Sequence, residues 1–327
     1  MQALWRKLGL LLQLMVVGNA APISKGTSLV VVTGASSGIG KECARRLANM
    51  EGYAVILACR QVNALSWKAA DEIVRTNPGA EVECCPLDLS SFSSVRDFSR
   101  TSIGGRSVAA IVHNAGVMAC PCEITGDGHE ITFQVNHLAP FLLTNLLMPN
   151  LKRCYRETGK PSRVIIVSSG AHRWGRAPNH SQLDEISLAA IEDQSLLWGG
   201  ERMGRYSRWC AYANSKLYNV LYAAELDRRY GRKQGVMGMA VRPGMVRTGI
   251  ARHSPTLGLF LHLFESLLTP VEEAAGAIVH AVTAPDVVAG GYYDLLKLKR
   301  PSSIAQDSSL QRTLWEASER MTESFLD

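Results

Sequence analysis

Tyr212 and Lys216 stand four residues apart in the stretch Tyr212-Ala213-Asn214-Ser215-Lys216. On a helix that spacing puts both side chains on one face, a turn apart. An ammonium beside a phenol favours the phenolate and draws a tyrosine pKa down from about 10 toward neutrality. A phenol tuned in this way gives or takes a proton at working pH, as reducing a carbonyl or oxidising an alcohol requires. Taken alone, the pair is better read as an exposed helix face. The rest of the chain decides between the two.

A second group points to a dinucleotide. Leu29 to Val32 is a short β-branched run, read as a buried strand, and it leads into Thr33-Gly34-Ala35-Ser36-Ser37-Gly38-Ile39-Gly40 and a helix from about Lys41 to Met50. Strand, glycine-rich turn and helix in that order make a pyrophosphate site. The glycines let the backbone approach the ligand, and the helix N-terminus offers free N–H groups and a positive dipole end. The spacing is G-x-x-x-G-x-G. Tyr53 to Ala58 reads as the second strand, ending at Cys59-Arg60. An acidic residue there would hold the ribose 2′-hydroxyl of NAD, whereas an arginine suits the 2′-phosphate of NADP. Arg60 occupies the place and no Asp or Glu does, so the cofactor inferred is NADP(H). Ser37 and Lys41 are candidate further phosphate contacts.

These groups need a frame to hold them. Asn63 to Thr76 reads as a helix closed by Asn77-Pro78-Gly79, and Val82 to Leu87 as a third strand. Asp88, just past it, is either an acceptor for an adenine amino group or the N-cap of a helix near Ser91. Val108 to Val112 is a fourth strand, followed by His113-Asn114-Ala115-Gly116. Ile131 to Leu147 is read as one long apolar helix carrying Asn136 and His137, the latter as a packed residue. A buried Asn136 must be hydrogen-bonded or cost about 1–3 kcal/mol. Arg163 to Val167 is a fifth strand ending at Ser168-Ser169-Gly170. A serine there faces the ligand crevice, and without a G-x-S-x-G elbow it reads as a donor to a substrate oxygen. Residues 172–207 form an inserted loop or lid, Trp209 to Tyr230 the helix of the opening pair, and Val236 to Val241 a sixth strand before Arg242-Pro243-Gly244. Leu257 to Leu268 is an apolar lid or membrane-facing helix. Val271 to Val282 is an amphipathic helix, and a last strand begins at Gly291-Tyr292-Tyr293. The expected fold is α/β: a single Rossmann-type doubly wound parallel sheet of about seven strands, with helices on both faces.

The 327 residues suffice for one large α/β domain, here 25–327, behind an N-terminal hydrophobic segment 1–24. The apolar share of 46% and charged share of 20% are those of a globular protein. The net charge of +6 is scattered, with no Lys/Arg block of the kind that marks a nucleic-acid footprint. Eight cysteines lie mostly in apolar runs, without zinc spacing, and read as reduced thiols; no metal is expected. Arg6 and Lys7 precede the apolar run Leu8 to Gly18, which is short for a transmembrane helix. It fits a secretory signal, a one-leaflet membrane anchor or an organelle presequence. The cysteine usage favours the anchor.

Thr33 to Gly40, Asn114-Ala115-Gly116, Asn136, Ser169, Tyr212 with Lys216, and Pro243-Gly244 resemble, in order and spacing, the short-chain dehydrogenase/reductase family over about Leu29 to Tyr293. Leu57-Ala58-Cys59-Arg60 and Phe133-Gln134-Val135-Asn136-His137-Leu138-Ala139-Pro140 resemble its retinol-dehydrogenase-like branch. That branch is mostly NADP-dependent and often attached to membranes through its N-terminus. The resemblance implies that Tyr212 exchanges the proton at the substrate oxygen, that Lys216 lowers its pKa and bonds the nicotinamide ribose, and that Ser169 positions the carbonyl. It implies that Asn136 holds a water linking Lys216 to solvent. Gly34, Gly38 and Gly40 line the pyrophosphate, with Ser36, Ser37 and Ile39 among them. Asn114, Gly116, Pro243 and Gly244 sit by the cofactor, and Thr248 touches the carboxamide end. His113 departs from the usual Asn, and Ser168 beside Ser169 leaves two candidate serines.

The function expected is interconversion of an alcohol and a carbonyl on a lipophilic substrate such as a retinoid, steroid or fatty aldehyde. The rivals are a protochlorophyllide-reductase-like enzyme and a non-catalytic NADP-binding scaffold. The expected location is the endoplasmic reticulum membrane with the catalytic domain facing the cytosol; lipid droplet, mitochondrion and secretion are the alternatives. The family resemblance suggests a homodimer.

Overall fold

The computed structural model describes residues 27–176, 206–246 and 268–326. The N-terminal segment, most of the expected lid, Thr248 and nearly all of Leu257 to Leu268 lie outside the described residues. The chain runs β1 (Ser28–Thr33), α1 (Gly38–Ala48), β2 (Tyr53–Cys59), α2 (Ala64–Thr76), β3 (Glu81–Pro86), α3 (Phe92–Asp97), β4 (Val108–His113), α4 (Ala139–Leu146), α5 (Met148–Thr158) and β5 (Ser162–Val167). It continues with α6 (Arg208–Gln234), β6 (Val236–Arg242), α7 (Val271–Thr283), β7 (Tyr292–Asp294), β8 (Lys297–Lys299) and α8 (Ser308–Thr322).

The sheet order is β3-β2-β1-β4-β5-β6-β7-β8, parallel from β3 to β7. Strand β1 pairs on one side with β2 and on the other with β4, so the direction of winding reverses there. A crevice opens outside the carboxyl ends of the strands at such a reversal. Alternation along β1 splits the core in two. Val31 faces one layer, with α3 to α6 and α8, while Val30 and Val32 face the other, with α1, α2 and α7.

Two expectations of element structure change. The stretch read as one helix over Ile131 to Leu147 winds without interruption from Ile131 to Leu146, but it widens to i→i−5 turns over Gln134–Leu138 before α4. Pro140 has no N–H to give the Asn136 carbonyl four residues back, so regular winding fails there. Pro149 then sits in the first turn of α5, where the missing donor costs nothing. The sheet also has eight strands rather than about seven. The eighth, β8, is antiparallel to β7. Its tight turn at Leu295-Leu296 holds Leu295 at φ +53 and donates the Leu295 N–H to the Arg242 carbonyl at 2.9 Å. No glycine or asparagine marks it.

Helix α8 was not expected at all. Asp307 caps it, accepting from the N–H groups of Ser309 and Leu310. Its Leu310, Leu314 and Trp315 then pack into the core beside Phe141 and Tyr222. On the other flank Asn63 caps α2 reciprocally with Ser66. Ser91, not Asp88, caps α3.

Candidate active site

At the carboxyl edge of the sheet lies a cleft of ≈ 1140 Å³. Gly34, Ser36, Ser37, Gly38, Ile39, Gly40, Arg60, Asp88, Asn114 and Gly116 line one part. Ser169, Tyr212, Lys216, Pro243 and Gly244 line the other. Of the sequence-derived site residues, Asn136 and Lys41 are not part of this lining, and Thr248 lies outside the described residues.

The glycine loop is held from below. The Asn114 amide donates to the Thr33 carbonyl at 2.9 Å, and the N–H groups of Asn114 and Ala115 donate to the Thr33 hydroxyl at 3.1 and 3.0 Å. These bonds tie the end of β1 to the end of β4 across the winding reversal. A side chain on Gly40 would lie 2.4 Å from the Asn114 amide nitrogen and 2.5 Å from the Gly34 carbonyl oxygen, so only glycine fits. Ser37, the N-cap of α1, makes no side-chain capping bond, which leaves first-turn N–H groups for an incoming ligand. This cradle fits a pyrophosphate.

Arg60 is exposed at the end of β2 and faces the same part of the cleft. Asp88 lines the cleft, where its carboxylate accepts from the Ser90 N–H at 2.9 Å and hydroxyl at 2.6 Å. Lys41, a candidate phosphate contact, instead pairs with Glu72 on α2.

Helix α6 carries Tyr212 and Lys216 side by side, both buried. Lys216 Nζ donates to the Val167 carbonyl at 3.0 Å and lies 5.6 Å from the centre of the Tyr212 ring. The expected lowering of the Tyr212 pKa is not what this geometry gives. Burial pushes the phenol up, to about 12, against the pull of a hydrogen bond with Ser169. Burial likewise pushes the Lys216 ammonium down, to about 8. Both charged forms have left water, and this outweighs their attraction across the ring.

The two serines part company. The Ser168 hydroxyl is buried and donates to the Lys216 backbone carbonyl at 2.8 Å. The Ser169 oxygen accepts the Ala171 N–H at 3.2 Å and is the one that meets Tyr212. Its O–H, the donor that acts on the Tyr212 phenol, is placed to serve a substrate oxygen beside that phenol as well.

Asn136 is a clamp. Its amide oxygen accepts from the Val117 N–H at 2.8 Å, and its amide nitrogen donates to the Val117 carbonyl at 2.9 Å and to the Ser215 hydroxyl at 3.0 Å. It thus joins the Gly116–Val117 wall of the cleft to α6 between Tyr212 and Lys216. A side chain on Gly116 would come 3.1 Å from the Asn136 oxygen and 3.6 Å from Lys216 Nζ. His113 is also structural: it is buried against the Thr144 hydroxyl at 2.8 Å, with its pKa pushed down to about 3 by burial. His137 packs among Phe133, Phe141, Tyr218 and Tyr222, and its pKa too falls to about 3 by burial.

Sequence reasoning missed the apolar side of the cleft. Met118, Cys120, Pro121, Ile131, Val135, Trp174, Trp209 and Met245 line it. The apolar run Val117 to Cys120, directly after Asn114-Ala115-Gly116, was the available signal. All eight cysteines are thiols rather than halves of a disulfide. Among the described residues no helix is long and apolar enough to cross a membrane.

The short chain dehydrogenase family profile matches residues 28–180. The chain is 37% identical to retinol dehydrogenase 12 of Homo sapiens over 293 residues, 89% of this chain and 84% of that protein. It is 38% identical to retinol dehydrogenase 13 of Homo sapiens over 321 residues, 94% of this chain and 88% of that protein. The solved structure of an uncharacterized protein from Mycobacterium paratuberculosis superposes with a TM-score of 0.67 at 30% identity, covering 94% of this chain and 97% of that one. Fold, cleft and kinship agree: the chain belongs to the short-chain dehydrogenase/reductase family, in its retinol-dehydrogenase-like branch.

Proposed function

We propose that this protein is an NADP(H)-dependent oxidoreductase that interconverts a lipophilic carbonyl and its alcohol. Its family makes it an oxidoreductase of alcohols and carbonyls with a nicotinamide cofactor. The observation that carries the finer reading is that Ser169, Tyr212 and Lys216 line one part of the cleft, with the Lys216 ammonium 5.6 Å from the centre of the Tyr212 ring. Arg60, with no acidic residue beside it at the end of β2, supports NADP over NAD. The apolar wall from Met118 to Trp209 supports a retinoid, steroid or fatty aldehyde as substrate.

When bound, the nicotinamide supplies or takes the hydride. Ser169 donates a hydrogen bond to the substrate oxygen and fixes it beside Tyr212. The Tyr212 phenol, protonated at neutral pH, gives its proton to that oxygen as a carbonyl becomes an alcohol. Lys216 lends positive charge behind the ring as the phenolate forms. Asn136 keeps α6 and the Gly116 wall in register. We assign Leu8 to Gly18 as the membrane anchor and the endoplasmic reticulum as the location, on the sequence pattern and the kinship with retinol dehydrogenases.

Full-chain protein with NADPH or NADH and a panel of retinal, steroid ketone and alkyl aldehydes tests the reading. Consumption of NADPH with a lipophilic carbonyl supports it. Saturable NADPH binding without consumption, unchanged in Tyr212→Phe, would make the protein a scaffold.

A further inference from the structure

The turn Gly170–Trp174 follows Ser169 directly and carries a fully buried histidine, His172. Its Nδ1 lies 2.8 Å from the Ser169 carbonyl oxygen, which also accepts the His172 backbone N–H at 3.1 Å. Its Nε2 receives the Ser302 backbone N–H at 3.2 Å. The ring packs on Tyr292 of β7, with centroids 4.8 Å apart. A carbonyl oxygen can only accept and a backbone N–H can only donate. The proton must therefore sit on Nδ1 and the lone pair on Nε2. A ring with this one tautomer links the Ser169 peptide to the segment after β8.

A second bond follows the same path. The Arg173 guanidinium donates to the Arg300 carbonyl at 3.2 Å. The site end of this path is the cleft, which Ser169 and Tyr212 both line. The charged groups about the ring are Arg173, Arg242 and Asp294, with the Tyr292 phenol on β7. Burial chiefly, then the two guanidinium groups, holds the imidazole below its ordinary pKa, against the Ser169 carbonyl and Asp294. The neutral form is the one both hydrogen bonds need.

We propose that His172 is a positioning residue: the Ser302 N–H selects its Nδ1–H tautomer, and that Nδ1–H, held on the Ser169 carbonyl, sets where the Ser169 hydroxyl stands relative to Tyr212. The two bonds are separable by substitution. The Asn side chain places an N–H donor near the position of Nδ1 and reaches no further, while Gln places its acceptor near the position of Nε2. His172→Asn keeps the Ser169 bond and loses the Ser302 bond. His172→Gln does the reverse.

This inference rests on the reading of Ser169 as the donor to the substrate oxygen, so its test has one arm that needs no turnover. In nitrogen-15 histidine spectra of the full chain, assigned by the signal lost in His172→Asn, the ring should show a protonated Nδ1 and a bare Nε2. An Nε2–H tautomer would overturn the inference whatever the activity. In NADPH-dependent carbonyl reduction, His172→Asn should keep kcat within a few-fold. His172→Gln should lose kcat on the order of tenfold to a hundredfold, with NADPH affinity unchanged, as misplacing one catalytic group does. Equal losses in the two variants, or a loss confined to NADPH affinity, would show a merely structural histidine. Inactivity of the wild-type chain would instead count against the reading of the function and leave the tautomer to decide this one.

Discussion

The ammonium of Lys216 lies 5.6 Å from the centre of the Tyr212 ring, and both groups are buried. The lysine has one backbone partner, the Val167 carbonyl at 3.0 Å, and burial holds its pKa down to about 8. An unfolded chain keeps that proton up to the ordinary value of 10.5. Between those two values the unfolded state binds more protons than the folded one, so this group's contribution to stability rises with pH. Below about pH 8 the buried ammonium costs stability on the order of 3 kcal/mol. Lys216→Met should therefore be the more stable protein at neutral pH, and its advantage should shrink steadily from pH 8 to 10.5. Denaturant titrations of both proteins across that range check it; an advantage that did not change with pH would contradict the buried-charge reading.

Gly40 tests the cradle. In Gly40→Ala the new methyl meets the Asn114 amide and the Gly34 carbonyl at less than van der Waals distance. The loop must open, at about 1–3 kcal/mol. The expected result is a lower melting temperature together with loss of NADPH binding, followed by nucleotide fluorescence. Gly126→Ala, where nothing lies within 4 Å, serves as the control and should bind normally.

Arg60 tests the nucleotide. Arg60→Asp exchanges a partner of the 2′-phosphate for a partner of the 2′-hydroxyl. The ratio of kcat/KM for NADPH over NADH should fall by about tenfold or more, a difference of 1.4 kcal/mol or above. Identical kinetics with both nucleotides before and after the change would remove Arg60 from the site.

Asn136 tests the clamp. Asn136→Ala strands the Val117 N–H and carbonyl and frees the Ser215 hydroxyl. The stability cost should be about 1–3 kcal/mol, and kcat should fall while NADPH affinity holds. Asn136→Asp keeps the acceptor for Val117 and loses both donors, so it should not rescue kcat.

Much of this site was legible because its chemistry is local. The loop Thr33 to Gly40 announces itself by glycine spacing between a β-branched run and a helix, and the Tyr212–Lys216 pair by one helical turn. What stayed hidden depends on tertiary contact. The choice between Ser168 and Ser169 is made by which hydroxyl turns toward the Lys216 carbonyl. The pKa of Tyr212 runs opposite to the sequence expectation because burial is not visible in spacing. The widened turn before Pro140 was readable, since a proline within a helical pattern removes a donor. Strand β8 was not, because Leu295 adopts a left-handed turn that its residue type disfavours.

The most direct test is single-turnover reduction of retinal by the NADPH-loaded wild-type chain and by Tyr212→Phe. The wild type should oxidise its bound NADPH. The variant should bind NADPH equally well and react slower by a factor on the order of 10²–10⁴. Equal rates in the two proteins would contradict proton transfer from Tyr212.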